Sequence, residues 1–126
     1  MATRRVLIVE DDDLDRQVTS VDLRNEGYVV GEAPTAEHAL SAIRSFTPDV
    51  IVLDIGLPGD DGLTCLRQIR EDPLTSAIPV VLLTARDDLD AQLEGITSGA
   101  ERYLVKPVDR SHLITTIREV LTNVRE

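Results

Sequence analysis

Polar side chains follow four short apolar segments of this sequence, and their types are suited to handling a phosphoryl group. They are Glu10-Asp11-Asp12-Asp13, Asp54, Thr84 and Lys106. Clustered carboxylates favour a hard divalent cation such as Mg²⁺, which prefers oxygen ligands. A carboxylate beside such a cation can act as a nucleophile toward phosphorus, while a hydroxyl and an ammonium bind the phosphoryl oxygens. These residues therefore favour phosphoryl transfer onto Asp54.

The segments that precede these residues read as β-strands. Residues 6–9, 50–53 and 80–83 are continuous apolar runs rich in β-branched side chains. Such runs are typical of strands that are buried on both faces, as in a parallel sheet covered by helices. Weaker strands are predicted over residues 28–32 and 102–105.

Helical spacing of apolar residues fills the intervals between the strands. The predicted helices cover approximately residues 14–21, 36–46, 63–70, 89–96 and 109–121. Strand and helix alternate five times, which implies right-handed crossovers and a doubly wound α/β fold with helices on both faces of the sheet. In such folds the functional groove lies at the carboxyl ends of the strands, so the polar residues should meet there. The 126 residues fit one domain, 1–126, and are too few for two.

Composition narrows the environment and the partners. The formal net charge of −10 repels phosphate backbones, so we expect no direct binding of nucleic acid. Cys65 is the one cysteine, which excludes an intrachain disulfide and favours a reducing compartment. Its helical setting predicts a small buried thiol. No segment is long and apolar enough to cross a membrane, and no cleavage-site pattern follows the N-terminus. We therefore expect a cytoplasmic protein.

Four motifs together resemble the receiver domains of bacterial response regulators. They are VLIVEDD at 6–12, DIGLPGDDG at 54–62, LTA at 83–85 and GAERYLVKP at 99–107. Their order and spacing match the family over essentially the whole chain, and the combination is much more specific than any one motif. The resemblance implies a flavodoxin-like sheet of five parallel strands in the order 2-1-3-4-5.

The resemblance also implies a role for each residue of the metal and phosphoryl site. Asp54 is the expected phosphoacceptor. Asp11 is the expected direct ligand of Mg²⁺, Glu10 acts mainly through water, and the backbone carbonyl of Gly56 completes the protein ligands.

A second set of implied roles concerns the switch that follows phosphorylation. Thr84 and Lys106 sense the phosphoryl group, and the inward or outward rotamer of Tyr103 reports the state. A cis peptide bond before Pro107 is a further feature of the family. The expected output face is made by the fourth helix, the fifth strand and the fifth helix.

The expected partners are a sensor histidine kinase or a phosphotransfer protein as donor, and an effector domain or protein downstream. A homodimer through the output face is also implied. Such a chain is not an enzyme toward external substrates, since it catalyses only its own phosphorylation and dephosphorylation. Both a self-standing regulator and the receiver segment of a longer one are compatible with this sequence.

Three rival interpretations fit parts of the sequence. The spacing of Asp11, Asp13 and Asp15 is similar to the start of an EF-hand loop, but Arg16 stands where that loop requires glycine. A phosphohydrolase of the haloacid dehalogenase type would use Asp11-x-Asp13 as its nucleophile motif, whereas here the context favours Asp54. An interaction domain that no longer uses phosphorylation is disfavoured by the intact set of site residues.

Two positions depart from the common family pattern. Gly56 lacks the side chain that many receivers carry two residues after the acceptor, and Arg86 occupies a variable position two residues after Thr84. In the family both positions border the path of an attacking water, so the lifetime of the phosphorylated state is left open.

Overall fold

The computed structural model describes residues 3–57, 61–84 and 89–124. Its centre is a sheet of five parallel strands in the order β2-β1-β3-β4-β5. The strands are β1 (Arg5–Val9), β2 (Val29–Ala33), β3 (Val50–Asp54), β4 (Val80–Thr84) and β5 (Arg102–Val105). The predicted fold class and strand order are confirmed, and the predicted strand limits differ from these by about one residue.

Five helices connect or follow the strands. They are α1 (Asp13–Asn25), α2 (Ala36–Phe46), α3 (Asp61–Glu71), α4 (Leu89–Thr97) and α5 (Arg110–Val124). The Thr35 hydroxyl accepts a hydrogen bond from the backbone N–H of His38 at 3.1 Å, which caps α2 as the sequence predicted. Among the described residues, no helix is both long enough and apolar enough to cross a membrane.

Alternating side chains of each strand separate two hydrophobic cores. In β1, Val6 and Ile8 face the core that α1 and α5 cover, whereas Leu7 and Val9 face the core that α2 and α3 cover. Burial on both faces explains why the central strands are continuous apolar runs. Cys65 is fully buried in the second core, as predicted.

The buried face of α1 differs from the apolar pattern that identified the helix. Leu14, Val18 and Val21 are 69%, 52% and 52% exposed, and Ser20 and Leu23 are the buried residues instead. The periodicity thus predicted the helix correctly but not its packed side. An apolar stripe (Leu14, Val18 and Val21) is left on the surface of α1.

Gly62 brings the first turn of α3 against the segment that follows β3. A Cβ atom at Gly62 would lie 2.3 Å from the Cα atom of Ile55 and 2.8 Å from the backbone oxygen of Asp54. Real atoms cannot approach so closely, so the packing of α3 at this point requires a residue without a side chain. The glycine therefore helps to fix the chain next to Asp54.

Candidate functional site

The register of the sheet brings the predicted site residues to one edge. Val9 pairs with Leu53, and Asp54 pairs with Leu83 on β4. Thr84, the last residue of β4, pairs with Val105 on β5. Because all strands are parallel, the residues after β1, β3, β4 and β5 leave the sheet at the same carboxyl edge.

Three carboxylates converge at this edge. One oxygen from each of Glu10, Asp11 and Asp54 lies within 4.8 Å of the other two. Glu10 and Asp54 are each only 4% exposed, whereas Asp11 is exposed to solvent. An oxygen-only donor set of this kind, open on one side, fits a hard divalent cation that keeps several waters.

Lys106 lies between the two buried carboxylates. Its Nζ atom is 2.5 Å from Oε1 of Glu10 and 2.9 Å from Oδ2 of Asp54. The backbone N–H of Lys106 donates to the carbonyl of Thr84 at 2.6 Å, and the Lys106–Pro107 peptide is cis, as expected. Oδ2 of Asp15 lies 3.9 Å from the same ammonium. Together with Asp11 of the acidic cluster, the carboxylates here outnumber the ammonium, and negative charge remains in excess for a further cation to balance.

Burial and charge shift the protonation of Glu10 and Lys106. Burial, together with the neighbouring Asp54, raises the pKa of Glu10 to about 7, although the hydrogen bond from Lys106 acts in the opposite direction. Burial alone would lower the pKa of Lys106, but its hydrogen bonds to Glu10 and Asp54 outweigh this and raise it. The ammonium therefore stays charged while Glu10 titrates near neutral pH.

Asp54 is held by hydrogen bonds from two sides. Its Oδ1 atom accepts a hydrogen bond from the backbone N–H of Gly56 at 2.8 Å, and Lys106 donates to Oδ2. A Cβ atom at position 56 would lie 3.2 Å from Oδ1. Glycine therefore leaves the surroundings of this carboxylate more open than a larger residue would.

Each of the remaining predicted residues is close in sequence to a residue of the site, and the roles of these residues stay predictions. Thr84 is buried at the end of β4, next in sequence to Leu83, the pairing partner of Asp54. Tyr103 on β5 is 39% exposed. A ligand role for the Gly56 carbonyl also stays a prediction, and Arg86 lies outside the described residues.

The other acidic residues near the start of α1 have structural partners. The Asp12 side chain accepts from the backbone N–H of Asp15 at 2.9 Å and caps α1, and Asp13 pairs with Arg16. Asp12 and Asp13 thus act at the helix start, whereas Asp15 also approaches the site: its Oδ2 atom lies 3.9 Å from Nζ of Lys106. The resemblance had placed Glu10 and Asp11 at the metal site, but the approach of Asp15 to Lys106 could not be read from the sequence.

Sequence reasoning missed a groove beside the site. A cavity of about 460 Å³ lies between α1 and the segment that joins β5 to α5. Its lining includes Leu14 and Val18 of the apolar stripe, together with Lys106, Pro107 and Val108. The helical spacing of Leu14 and Val18 is the available signal, but spacing by itself indicates only a helix and not a groove.

Comparison with known proteins gives a consistent result. The family model for the response regulator receiver domain matches residues 6–118. The transcriptional regulatory protein AfsQ1 of Streptomyces coelicolor is 44% identical over 117 residues, which cover 92% of this chain and 50% of that protein. The transcriptional regulatory protein CseB of the same organism is 40% identical over 116 residues, which cover 92% of this chain and 48% of that protein. The chain thus spans about half the length of these relatives.

Solved structures agree with the sequence relatives. A response regulator receiver domain protein from Methanospirillum hungatei superposes with a TM-score of 0.91 at 29% identity, covering 98% of each chain. The receiver domain of a Francisella response regulator gives a TM-score of 0.88 at 29% identity, covering 96% of this chain and 98% of the other.

The fold and the site together define the class of this protein: a doubly wound α/β domain with an acidic cluster and a lysine at the carboxyl edge of its parallel sheet. Within that class, this chain belongs to the response regulator receiver domain family of two-component systems.

Proposed function

We propose that this chain accepts a phosphoryl group on Asp54 from a histidine kinase or a phosphotransfer protein, in a reaction that depends on Mg²⁺. One observation carries the proposal. Asp54 is buried at the end of β3, with Glu10 and Asp11 within 4.8 Å and the ammonium of Lys106 at 2.9 Å. This combination of a fixed carboxylate, further acids and a cation is what phosphoryl transfer to a carboxylate requires.

The residues present fit a magnesium ion. Asp11 and Asp54 would hold it directly, Glu10 through water, and Gly56 through its backbone carbonyl. When bound, the ion would supply positive charge that stabilises the phosphoryl oxygens during transfer. The excess of carboxylates over ammonium groups at this edge supports a divalent cation.

In the transfer step, a carboxylate oxygen of Asp54 forms a bond to phosphorus while the bond from phosphorus to the donor's imidazole nitrogen breaks. The hydrogen bond from Gly56 and the contact with Lys106 hold the carboxylate in place for this attack. Lys106, and the hydroxyl of Thr84 at the end of the neighbouring strand, are the proposed partners of the phosphoryl oxygens.

The donor protein is proposed to cover the apolar stripe and the groove beside it. Leu14 and Val18 are exposed apolar side chains on the same side of α1 as the groove, which reaches Lys106. A protein that presents a phosphohistidine along this groove would contact the stripe. Isolated exposed apolar residues are common, but a stripe that borders a site favours a protein contact.

The output surface is proposed to be the face of α4, β5 and α5. Leu93 and Ile96 of α4 and Tyr103 of β5 are exposed apolar or aromatic side chains there. A phosphoryl group at Asp54 would act through Thr84 and Tyr103 and shift the population of this face between two states. An effector domain or protein, or a second copy of the chain, would then bind this face.

The Streptomyces relatives are transcriptional regulatory proteins, and we propose a comparable effector for this chain. We also propose that the chain acts in the cytoplasm.

The alternative is an enzyme that hydrolyses external phosphate esters, and one experiment separates the two. The protein is incubated with acetyl phosphate, with and without Mg²⁺, and its intact mass is measured; turnover of p-nitrophenyl phosphate is followed in parallel. We expect a gain of one phosphoryl group that needs Mg²⁺, and no multiple turnover of the ester. Many turnovers per protein would favour the enzyme, and no gain with abundant donor and Mg²⁺ would count against the proposal.

A further inference from the structure

Arg16 makes three contacts that join the elements around the acidic site. Its Nη1 atom donates to the backbone carbonyl of Glu10 at 2.8 Å, Nη2 to Oδ1 of Asp13 at 2.6 Å, and Nε to Oε1 of Glu32 at 3.2 Å. These partners lie directly after β1, in the first turn of α1 and on β2. The side chain is only 12% exposed, so the contacts are partly shielded from water.

The contact with Glu10 bears directly on the metal site. The carbonyl that Arg16 binds belongs to the peptide unit between Glu10 and Asp11. A peptide unit is planar and rigid, so its orientation sets the directions in which the chain continues and the next side chain leaves. The other side of this turn is held by the backbone N–H of Glu10, which donates to the carbonyl of Ala33 on β2 at 3.1 Å.

The charge of Arg16 acts against a metal ion, whereas its hydrogen bonds act in favour. A guanidinium close to the acidic cluster repels a divalent cation, so its neutralisation alone should strengthen metal binding. Loss of the hydrogen bonds should loosen the turn that carries Glu10 and Asp11 and weaken binding. The two effects have opposite signs, which makes them separable.

We propose that Arg16 is a positioning residue for the metal site: it holds the Glu10–Asp11 peptide so that both carboxylates are arranged for a divalent cation before the cation arrives. The inference rests on the proposed function, because it assumes that the acidic cluster binds Mg²⁺. Residues that orient metal ligands without touching the metal commonly change metal affinity by about 10–100-fold.

The test measures binding of the metal alone. Affinity for Mg²⁺ is determined by calorimetry, and for Mn²⁺ from the electron paramagnetic resonance signal of the free ion, in the full chain. The variants are Arg16→Lys, which keeps the charge, and Arg16→Gln, which removes it. Arg24→Gln is the matched control, because Arg24 lies on the same helix and pairs with Glu32 but has no contact with Glu10.

We expect Arg16→Lys to bind Mg²⁺ about tenfold more weakly, and Arg16→Gln to lose less, because removal of the charge offsets part of the loss. Arg24→Gln should bind as the wild type does or slightly more tightly. The Mg²⁺ concentration for half-maximal phosphorylation by acetyl phosphate should rise in parallel, while the rate at saturating Mg²⁺ stays near that of the wild type. Glu32→Ala removes the acceptor of the Arg16 Nε hydrogen bond and should give a smaller loss, which keeps the test decisive if an Arg16 variant does not fold.

Two results would overturn the inference while leaving the proposed function intact. Tighter binding of Mg²⁺ by Arg16→Gln would show that Arg16 acts only through its charge, and unchanged binding in both variants would show that it does not position the ligands. Absence of Mg²⁺ binding in the wild type would instead contradict the proposed function, and the inference with it.

Discussion

Glu10 and Lys106 form the closest charged contact of the site, and 96 positions separate them in the sequence. The sequence predicted that both residues lie at the carboxyl edge, because each follows a strand. It did not predict that the ammonium would lie between Glu10 and Asp54, since such a contact depends on side-chain rotamers and on the length of the lysine. The contacts of Arg16 could not be predicted for the same reason. In the sequence, Arg16 is only a basic residue next to several acidic ones.

Glu10 should make the stability of the metal-free protein depend on pH. The pKa of Glu10 is about 7 in the folded chain against an ordinary 4.5. The folded chain therefore holds a proton that the unfolded chain releases between these values. The stabilisation that comes from this bound proton is fully present below the ordinary pKa of 4.5, and it is lost as pH rises through the pKa of about 7 in the folded chain.

The comparison of wild type with Glu10→Gln isolates this effect, because the amide does not titrate. In a buffer with a chelator, the free energy of unfolding of the wild type should fall relative to that of the variant as pH rises from about 4.5 to above 7. The difference is measured by urea unfolding at a series of pH values. A difference that stays constant across this range would refute the assigned shift.

At the scale of helices and strands, sequence patterns located every element but did not define all packed faces. Each predicted strand and helix is present, and α2 has its predicted limits. The apolar stripe of α1 points to solvent, because the sheet contacts this helix through Ser20 and Leu23. Hydrophobic periodicity indicates a helix with one apolar side, but it does not show whether that side packs against the sheet or faces solvent.

Ser20 is a polar residue on the buried side of α1. It is fully buried, and its hydroxyl makes no hydrogen bond with any residue in the described part of the chain. A buried hydroxyl without a partner costs free energy, so Ser20→Ala should stabilise the protein by about 1 kcal/mol. Ser41→Ala, at an exposed site of α2, measures the gain from helix propensity alone. Destabilisation by Ser20→Ala in thermal or urea unfolding would show that the hydroxyl has a partner.

Gly62 fixes how α3 packs against the segment after Asp54. Its Cβ atom would overlap backbone atoms of Ile55 and Asp54, and a backbone cannot yield as a flexible side chain can. Gly62→Ala should therefore destabilise the protein by about 1–3 kcal/mol. Thr64→Ala, at an exposed site of α3, is the control and should change stability by less than about 0.5 kcal/mol. Equal effects of both substitutions on unfolding would contradict this account of the packing.

At the scale of the whole molecule, the fold places the candidate site at one edge of the sheet, with Leu14 and Val18 of the apolar stripe beside it. The fold class and the convergence of strand ends followed from the alternation of strands and helices. The groove beside α1 did not follow, because it depends on which side of α1 faces the sheet. The sequence therefore predicted the position of the candidate site, but not the groove beside it.

The apolar stripe should affect the rate of phosphorylation by a protein donor but not by a small-molecule donor such as acetyl phosphate. Val18→Asp places a charge on an exposed position of the stripe, so the rate of phosphorylation by acetyl phosphate should stay near that of the wild type. Phosphorylation by a histidine kinase that accepts the wild-type chain should slow by about tenfold or more, since an apolar contact then contains an unpaired charge. Leu74→Asp, at an exposed leucine before β4 and therefore toward the opposite edge, should leave both rates unchanged. A loss with both donors would assign Val18 to the site itself.

The central claim is that Asp54 receives the phosphoryl group, and chemical trapping tests it most directly. The protein is treated with acetyl phosphate and Mg²⁺ and then with sodium borohydride, which reduces an aspartyl phosphate to homoserine, and peptides are sequenced by mass spectrometry. We predict homoserine at position 54 only, dependent on Mg²⁺ and absent in Asp54→Asn. Homoserine at Asp11 or at another carboxylate, with Asp54 unmodified, would contradict the account.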